Sequence, residues 1–134
     1  PVTPEDAPAF VWPAQGQVAA GFDESRNKGL DIIGKAGDPV LAAADGRVVY
    51  AGSGLRGYGN LVIVDHAGSY RTYYAHLSAF AHGVRKGTRI SQGDFVGYVG
   101  QTGMATGPHL HFVVSRGFPL AGSSTLYNPA RFLP

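Results

Sequence analysis

Apolar positions along this chain come in short runs that alternate with polar ones or are closed off by glycine, and that pattern predicts strands. Strand signals recur at Gln17–Phe22, Val40–Ala43, Arg47–Ala51, Asn60–Asp65, Tyr70–His76, Thr88–Ile90, Phe95–Val99 and His109–Ser115. Arg47-Val48-Val49-Tyr50 and Leu61-Val62-Ile63-Val64 are β-branched runs, too short and too closely bounded by Gly to be helices. No segment sustains a 3.6-residue period; at most a helical turn follows His76, from Leu77 to Ala81. The expected fold is all-β, with antiparallel sheets forming a two-layer sandwich or partly open barrel and little helix.

Residues 1–9 (PVTPEDAPA) are Pro-rich and acidic and read as a linker remnant, leaving 10–134 as one domain. The chain starts at Pro1 without a signal peptide, as an excised or processed domain would. Gly37-Asp38-Pro39-Val40 is echoed 56 positions later by Gly93-Asp94-Phe95-Val96, each time entering a strand.

Composition narrows the function classes. A chain of 134 residues with 44% hydrophobic positions is long enough for one packed core. A net charge of +2 lacks the concentrated basic footprint that nucleic acid requires. No apolar stretch approaches the roughly 18 residues of a membrane span. Zero Cys excludes disulfides, thiolate zinc sites and a cysteine nucleophile, and suits an oxidising compartment such as a periplasm. Any metal here must be held by His, Asp, Glu, Asn or backbone oxygen.

Among the five His, the informative pair is His109-Leu110-His111. On a strand, residues i and i+2 share a face with Cβ atoms about 6–7 Å apart. Leu110, Phe112 and Val114 then enter the core while His109, His111 and Val113 line the other side. Two imidazoles on one face can share a metal or divide ligation and proton handling, or can simply be solvated. Thr106-Gly107-Pro108 is a tight turn that stiffens the entrance to this strand. By the same alternation Tyr70, Thr72, Tyr74 and His76 share a face, and a His ending a strand after aromatics suits a groove wall. Asn27 and Asp31 lie four apart, on one face of either an extended or a helical segment. Asp31 sits among Leu30, Ile32 and Ile33, so a partly buried carboxylate there needs a cation, a metal or a turn to cap. His66 and His82 read as structural, and Arg56-Gly57-Tyr58-Gly59-Asn60 as a loop able to touch a sugar or peptide. A biotinyl- or lipoyl-type carrier barrel would need a modifiable Lys at a hairpin tip; the single Met, Met104, has no adjacent Lys.

Together these segments, from about Trp12 to Pro134, resemble the lysostaphin-type (LytM-domain) zinc metallopeptidases that cut peptidoglycan cross-links. Thr106-Gly107-Pro108-His109-Leu110-His111-Phe112 is the most specific stretch. The resemblance implies a LytM-type sandwich, with Asp31 and His111 at metal-ligand positions. His76 and His109 fall at the positions of the two catalytic His that act on water and the developing oxyanion. Tyr58 and Tyr74 are candidate substrate contacts. The departure is Asn27, which stands where an active member carries its first His ligand. Asn-Lys-Gly-Leu-Asp-Ile, Ala-Asp-Gly-Arg-Val-Val-Tyr-Ala-Gly and Leu-Arg-Gly-Tyr-Gly-Asn-Leu resemble the degenerate lipoprotein activators of cell-wall amidases. From about Tyr70 onward the chain is more similar to the active peptidases.

The implied function is a peptidoglycan-associated binding and regulatory module that activates an N-acetylmuramoyl-L-alanine amidase in cell separation. The alternative is an active zinc endopeptidase, with zinc polarising the scissile carbonyl. Expected with the regulatory function are zinc that is weak or absent because of Asn27, and a periplasmic or cell-envelope location reached through a tether ahead of Pro1. Four-ligand zinc sites yield about 10–16 kcal/mol, so one donor is worth about 3 kcal/mol, or roughly 100-fold in affinity.

Overall fold

A computed structural model describes residues 7–118 and 123–134. Among the described residues eleven strands follow one another: β1 (Val18–Ala20), β2 (Leu30–Ile33), β3 (Pro39–Leu41), β4 (Gly46–Gly52), β5 (Asn60–Asp65), β6 (Tyr70–Leu77), β7 (Ala79–Phe80), β8 (Arg89–Ile90), β9 (Phe95–Tyr98), β10 (His109–Phe118) and β11 (Ser123–Tyr127). Helix is confined, among the described residues, to two 3₁₀ turns at Ala67–Ser69 and Pro129–Arg131. The helical turn expected over Leu77–Ala81 does not form. Ala79–Phe80 instead pairs with Tyr98 and Gly97 as β7. Strands at Leu30–Ile33 and Ser123–Tyr127 were not expected, since neither segment is bounded clearly enough to stand out from its neighbours.

All pairings are antiparallel. The larger sheet runs β1-β2-β10-β6-β5-β4-β8, with β11 added to the far half of β10; the smaller runs β3-β9-β7. The large sheet keeps free edges at β1 and β8, so this is the open form of the expected all-β architecture. The main core lies between the sheets. Val40 and Val96 of the small sheet meet Val48, Val62, Val64, Tyr70, Tyr74, Leu110, Phe112 and Val114 of the large one, all without exposed surface. Alternation therefore holds on β10 as the sequence predicts. A second cluster, Leu61, Ile63 and Ala75 with Val49, Tyr50, Tyr58 and Tyr73 against it, covers the opposite face of the large sheet.

The Gly-Asp echo is structural. Gly37 and Gly93 take left-handed φ values of 95° and 87°, which glycine adopts without cost. Asp38 and Asp94 each accept a backbone N–H from three residues earlier. The two strands they open then pair with each other, Val40 opposite Gly97. Ahead of them, Ala7 already packs against the core and the Ala9 carbonyl accepts from Gln92; residues 1–6 of the expected linker lie outside the described residues.

The sequence reading puts Tyr74 at a substrate groove, and the structure corrects it. Tyr70, Thr72 and Tyr74 do share a face, but it is the core face, and all three are fully buried. The Tyr74 oxygen accepts from Ala43 N–H at 2.9 Å and its hydroxyl pairs with Thr72 Oγ1 at 2.7 Å. Burial, opposed by these bonds, pushes its pKa up to about 12. The carbonyl of Asp45 only accepts, so His66 Nδ1 carries the proton, and its bare Nε2 takes the Thr72 hydroxyl at 2.7 Å. The chain Ala43 N–H, Tyr74 O–H, Thr72 O–H, His66 is thus satisfied at every link with His66 neutral.

Candidate functional site

Strand pairing builds the site. β2 and β10 run side by side with Asp31 directly opposite His111 and Ile33 opposite His109. Cross-strand partners share a face, so the carboxylate and the imidazole meet although 80 residues separate them. His111 Nδ1 lies 2.6 Å from Asp31 Oδ1, and His109 Nε2 lies 3.8 Å from the same oxygen. Gly29 makes room for this: a Cβ there would come within 2.9 Å of the His111 ring and 2.5 Å of the Phe112 carbonyl.

His76 arrives from β6 by breaking alternation. It is a non-glycine residue at φ 62°, a left-handed conformation that costs on the order of 1–3 kcal/mol. That twist takes its ring away from the core face of Tyr74 and brings it to 4.9 Å from His109 and 6.0 Å from His111, centroid to centroid. The conformation is held by a hydrogen bond from His76 N–H to the Tyr58 carbonyl and by Nδ1–H donating to the Thr102 carbonyl at 2.7 Å. Thr102 anchors the loop in turn: its hydroxyl donates to Leu77 O and accepts from Asn60 N–H. His109 Nδ1 likewise donates to the Gly107 carbonyl at 3.0 Å. Both rings are therefore fixed through Nδ1, and in a neutral imidazole that leaves Nε2 as the base or acceptor.

Burial holds the His76 pKa below its ordinary value, against the opposing pull of the Thr102 carbonyl. At Asp31 burial raises the carboxyl, but the hydrogen bond from His111 and the charges of His111, His109 and His76 outweigh it, so its pKa falls below the usual carboxylate value. The four groups open onto a groove of about 480 Å³, whose walls include Asn27, Arg56, Tyr58, Met104 and Thr106. Of the expected positions, Asp31, His76, His109, His111, Asn27 and Tyr58 converge here; Tyr74 does not. Sequence reasoning missed Thr102 as the anchor and Met104, 79% exposed, as part of the rim; the glycines at 100, 103 and 107 around them are the signal of a shaped loop. His82, exposed, lines a different hollow beside β8 and β9.

Asn27 faces the groove with its amide already engaged. Nδ2 donates to the Gly21 carbonyl at 3.1 Å and Oδ1 accepts from Gly29 N–H at 3.4 Å, which ties the β1–β2 connection together. Among the described residues no group of three or more His, Asp or Glu is arranged to hold a metal ion. An amide oxygen is also a poor third donor for zinc. The residues present do not fit a zinc set.

The sequence signature of peptidase family M23 matches residues 25–124, which holds every one of these groups. The chain belongs to that family. Over 125 residues it is 42% identical to the murein hydrolase activator NlpD of Escherichia coli K12, covering 92% of this chain and 31% of that protein. The M23 fold recurs in the antimicrobial peptidase lysostaphin of Staphylococcus simulans, with TM-score 0.75 and 30% identity over 87% of this chain and 48% of that one. A zinc containing peptidase from Vibrio cholerae matches with TM-score 0.72 and 32% identity over 79% of this chain and 36% of that one. The chain spans about a third of the length of the curated relatives it matches. No described helix is long and apolar enough to cross a membrane.

Proposed function

We propose that this M23 domain is a peptidoglycan-associated regulatory module of the cell envelope that activates an N-acetylmuramoyl-L-alanine amidase during cell separation. The observation that carries the reading is Asn27: where an active M23 peptidase needs its first imidazole, this chain has an amide tied to Gly21 and Gly29. With two protein donors left, zinc is held weakly or not at all. The murein hydrolase activator name of the E. coli relative supports the same reading. In this role the groove binds rather than cuts, with Tyr58 and Arg56 offering an aromatic face and a cation at its wall. The lipoprotein name of the Pseudomonas aeruginosa NlpD/LppB homolog supports the envelope location.

A second reading is a zinc endopeptidase acting on peptidoglycan cross-links. It is favoured by one observation, the convergence of Asp31, His76, His109 and His111 on a single groove. The two readings separate in one experiment. The chain is stripped with chelator, repleted with zinc and assayed for bound metal, for peptide release from purified peptidoglycan, and for its effect on a purified amidase. Regulation predicts substoichiometric zinc, no release and a faster amidase. Stoichiometric zinc with chelator-sensitive release and no effect on the amidase would reverse the assignment.

A further inference from the structure

The outer face of the large sheet carries a feature that the groove does not use. Across four strands, β8 to β6, one register row reads Arg89, Arg47, Asp65, Arg71: Arg47 pairs with Arg89 on one side and with Asp65 on the other, and Asp65 pairs with Arg71. Their chain neighbours Ile90, Val48, Val64 and Thr72 are buried on the core side, so all four side chains project from the opposite face. With strands about 4.8 Å apart, the row is about 15 Å long. Its one carboxylate is taken, since Asp65 pairs with Arg71 at 3.2 Å. Arg47 Nη1 donates to the Gly87 carbonyl at 3.2 Å. Two like charges directly opposite each other in a ladder destabilise it, and Arg85 and Lys86 in the adjoining turn add to the same field. Asp45 and Asp94, at the turns beside β8, accept the backbone N–H groups of Gln92 and Ser91 and so are already engaged.

The row is continuous with the groove. Along β10 and β6 the rows are His111 with Ala75, then Val113 with Tyr73, then Ser115 with Arg71, which puts Arg71 about 14 Å from His111 on the same face and Arg47 and Arg89 roughly 20 Å away across two further strands. The middle row extends through Ile63 to Tyr50. Half-buried tyrosines beside an arginine rim have the composition of a protein-binding surface. A lipid surface fits less well, because Ile63 and Val113 lie flush at 7% and 3% exposure instead of protruding and Asp65 interrupts the positive row.

The geometry points to a second docking surface, the Arg89–Arg47–Arg71 row, that seats an acidic face of the protein partner. Resting on the regulatory reading above, that partner is the amidase, and the row governs how fast and how tightly it is captured while the groove delivers activation. Charged rims act chiefly through long-range attraction and are screened by salt.

The test is calorimetric binding of the full chain and its R47Q/R89E variant to the purified amidase in 50 and 300 mM salt, with activation measured at saturation. Gln at 47 avoids placing a second carboxylate opposite Asp65. Expected are a loss of binding of about tenfold at low salt that shrinks at high salt, melting no lower than that of the parental chain because the Arg47–Arg89 repulsion is relieved, and full activation at saturating variant. Equal affinity of the two proteins at low salt overturns the inference while leaving the regulatory reading intact. Selective loss of binding to phosphatidylglycerol vesicles, with amidase binding unaltered, also overturns it and assigns the row to lipid. If the parental chain neither binds nor activates the amidase, the regulatory reading fails and takes this one with it.

Discussion

Replacing Asn27 by His tests the central reasoning because it pulls stability and metal affinity in opposite directions. Without metal, the imidazole loses the amide's bonds to Gly21 at 3.1 Å and to Gly29 at 3.4 Å, and the longer of these is weak. A net cost of about 1 kcal/mol follows, which for a domain of this size lowers Tm by about 3–6 °C. With zinc, a third good donor adds about 3 kcal/mol of binding, close to 100-fold in affinity. At zinc one hundred times above its Kd, the metal returns about 2.7 kcal/mol to the folded state. The variant should therefore melt below the parental chain in chelator and above it in zinc, while the parental melt barely moves. Scanning calorimetry in the two buffers, with zinc titrated calorimetrically, reads both terms. A parental chain that gains as much from zinc as the variant refutes the claim that Asn27 disables the site. A variant that is undiminished in chelator refutes the structural role given to the amide.

Other outcomes follow from the same contacts. Tyr74→Phe leaves the buried Ala43 N–H and the Thr72 hydroxyl short of a partner and should cost about 2–4 kcal/mol in urea unfolding. Loss below 0.5 kcal/mol would show the hydroxyl chain to be dispensable. Gly29→Ala forces a Cβ against Phe112 O and the His111 ring; a loss of about 1–3 kcal/mol is expected, with displaced His111 ring resonances by NMR, and unmoved resonances would contradict the packing. Burial lowers the pKa of His66, and of His76, below the ordinary 6.5. The unfolded chain therefore takes up protons first as pH falls. The stability these groups contribute is fully present above pH 6.5 and is lost toward their depressed folded values. Asp31 adds a further loss below its unfolded value of 3.8. Melting temperature should decline from pH 7.5 to 5, and less steeply in His66→Gln; parallel profiles would remove His66 from the account.

Period-two alternation was enough to send Leu110, Phe112 and Val114 to the core and leave His109 and His111 together on the other side, because side-chain direction on a strand is fixed by parity alone. The Gly-Asp echo and the turn before His109 were legible for a similar reason, since positive φ and tight reversal select residue types locally. Asn27 stood out only against the family pattern, which assigns that position a metal-binding imidazole. What parity could not supply was register. Asp31 meets His111 because β2 docks on β10 at one particular offset, and a pairing 80 residues apart leaves no local trace. Parity also failed at one residue. His76 takes φ 62°, a choice made by its bonds to Tyr58 and Thr102 rather than by its neighbours in sequence, so the same strand sends Tyr74 into the core and His76 into the groove. The arginine row belongs to this second kind: four charges scattered from Arg47 to Arg89 become one surface only when four strands align them. Local chemistry thus determined which residues could act, and tertiary pairing decided which of them stand together, because contact across a sheet depends on register between distant segments.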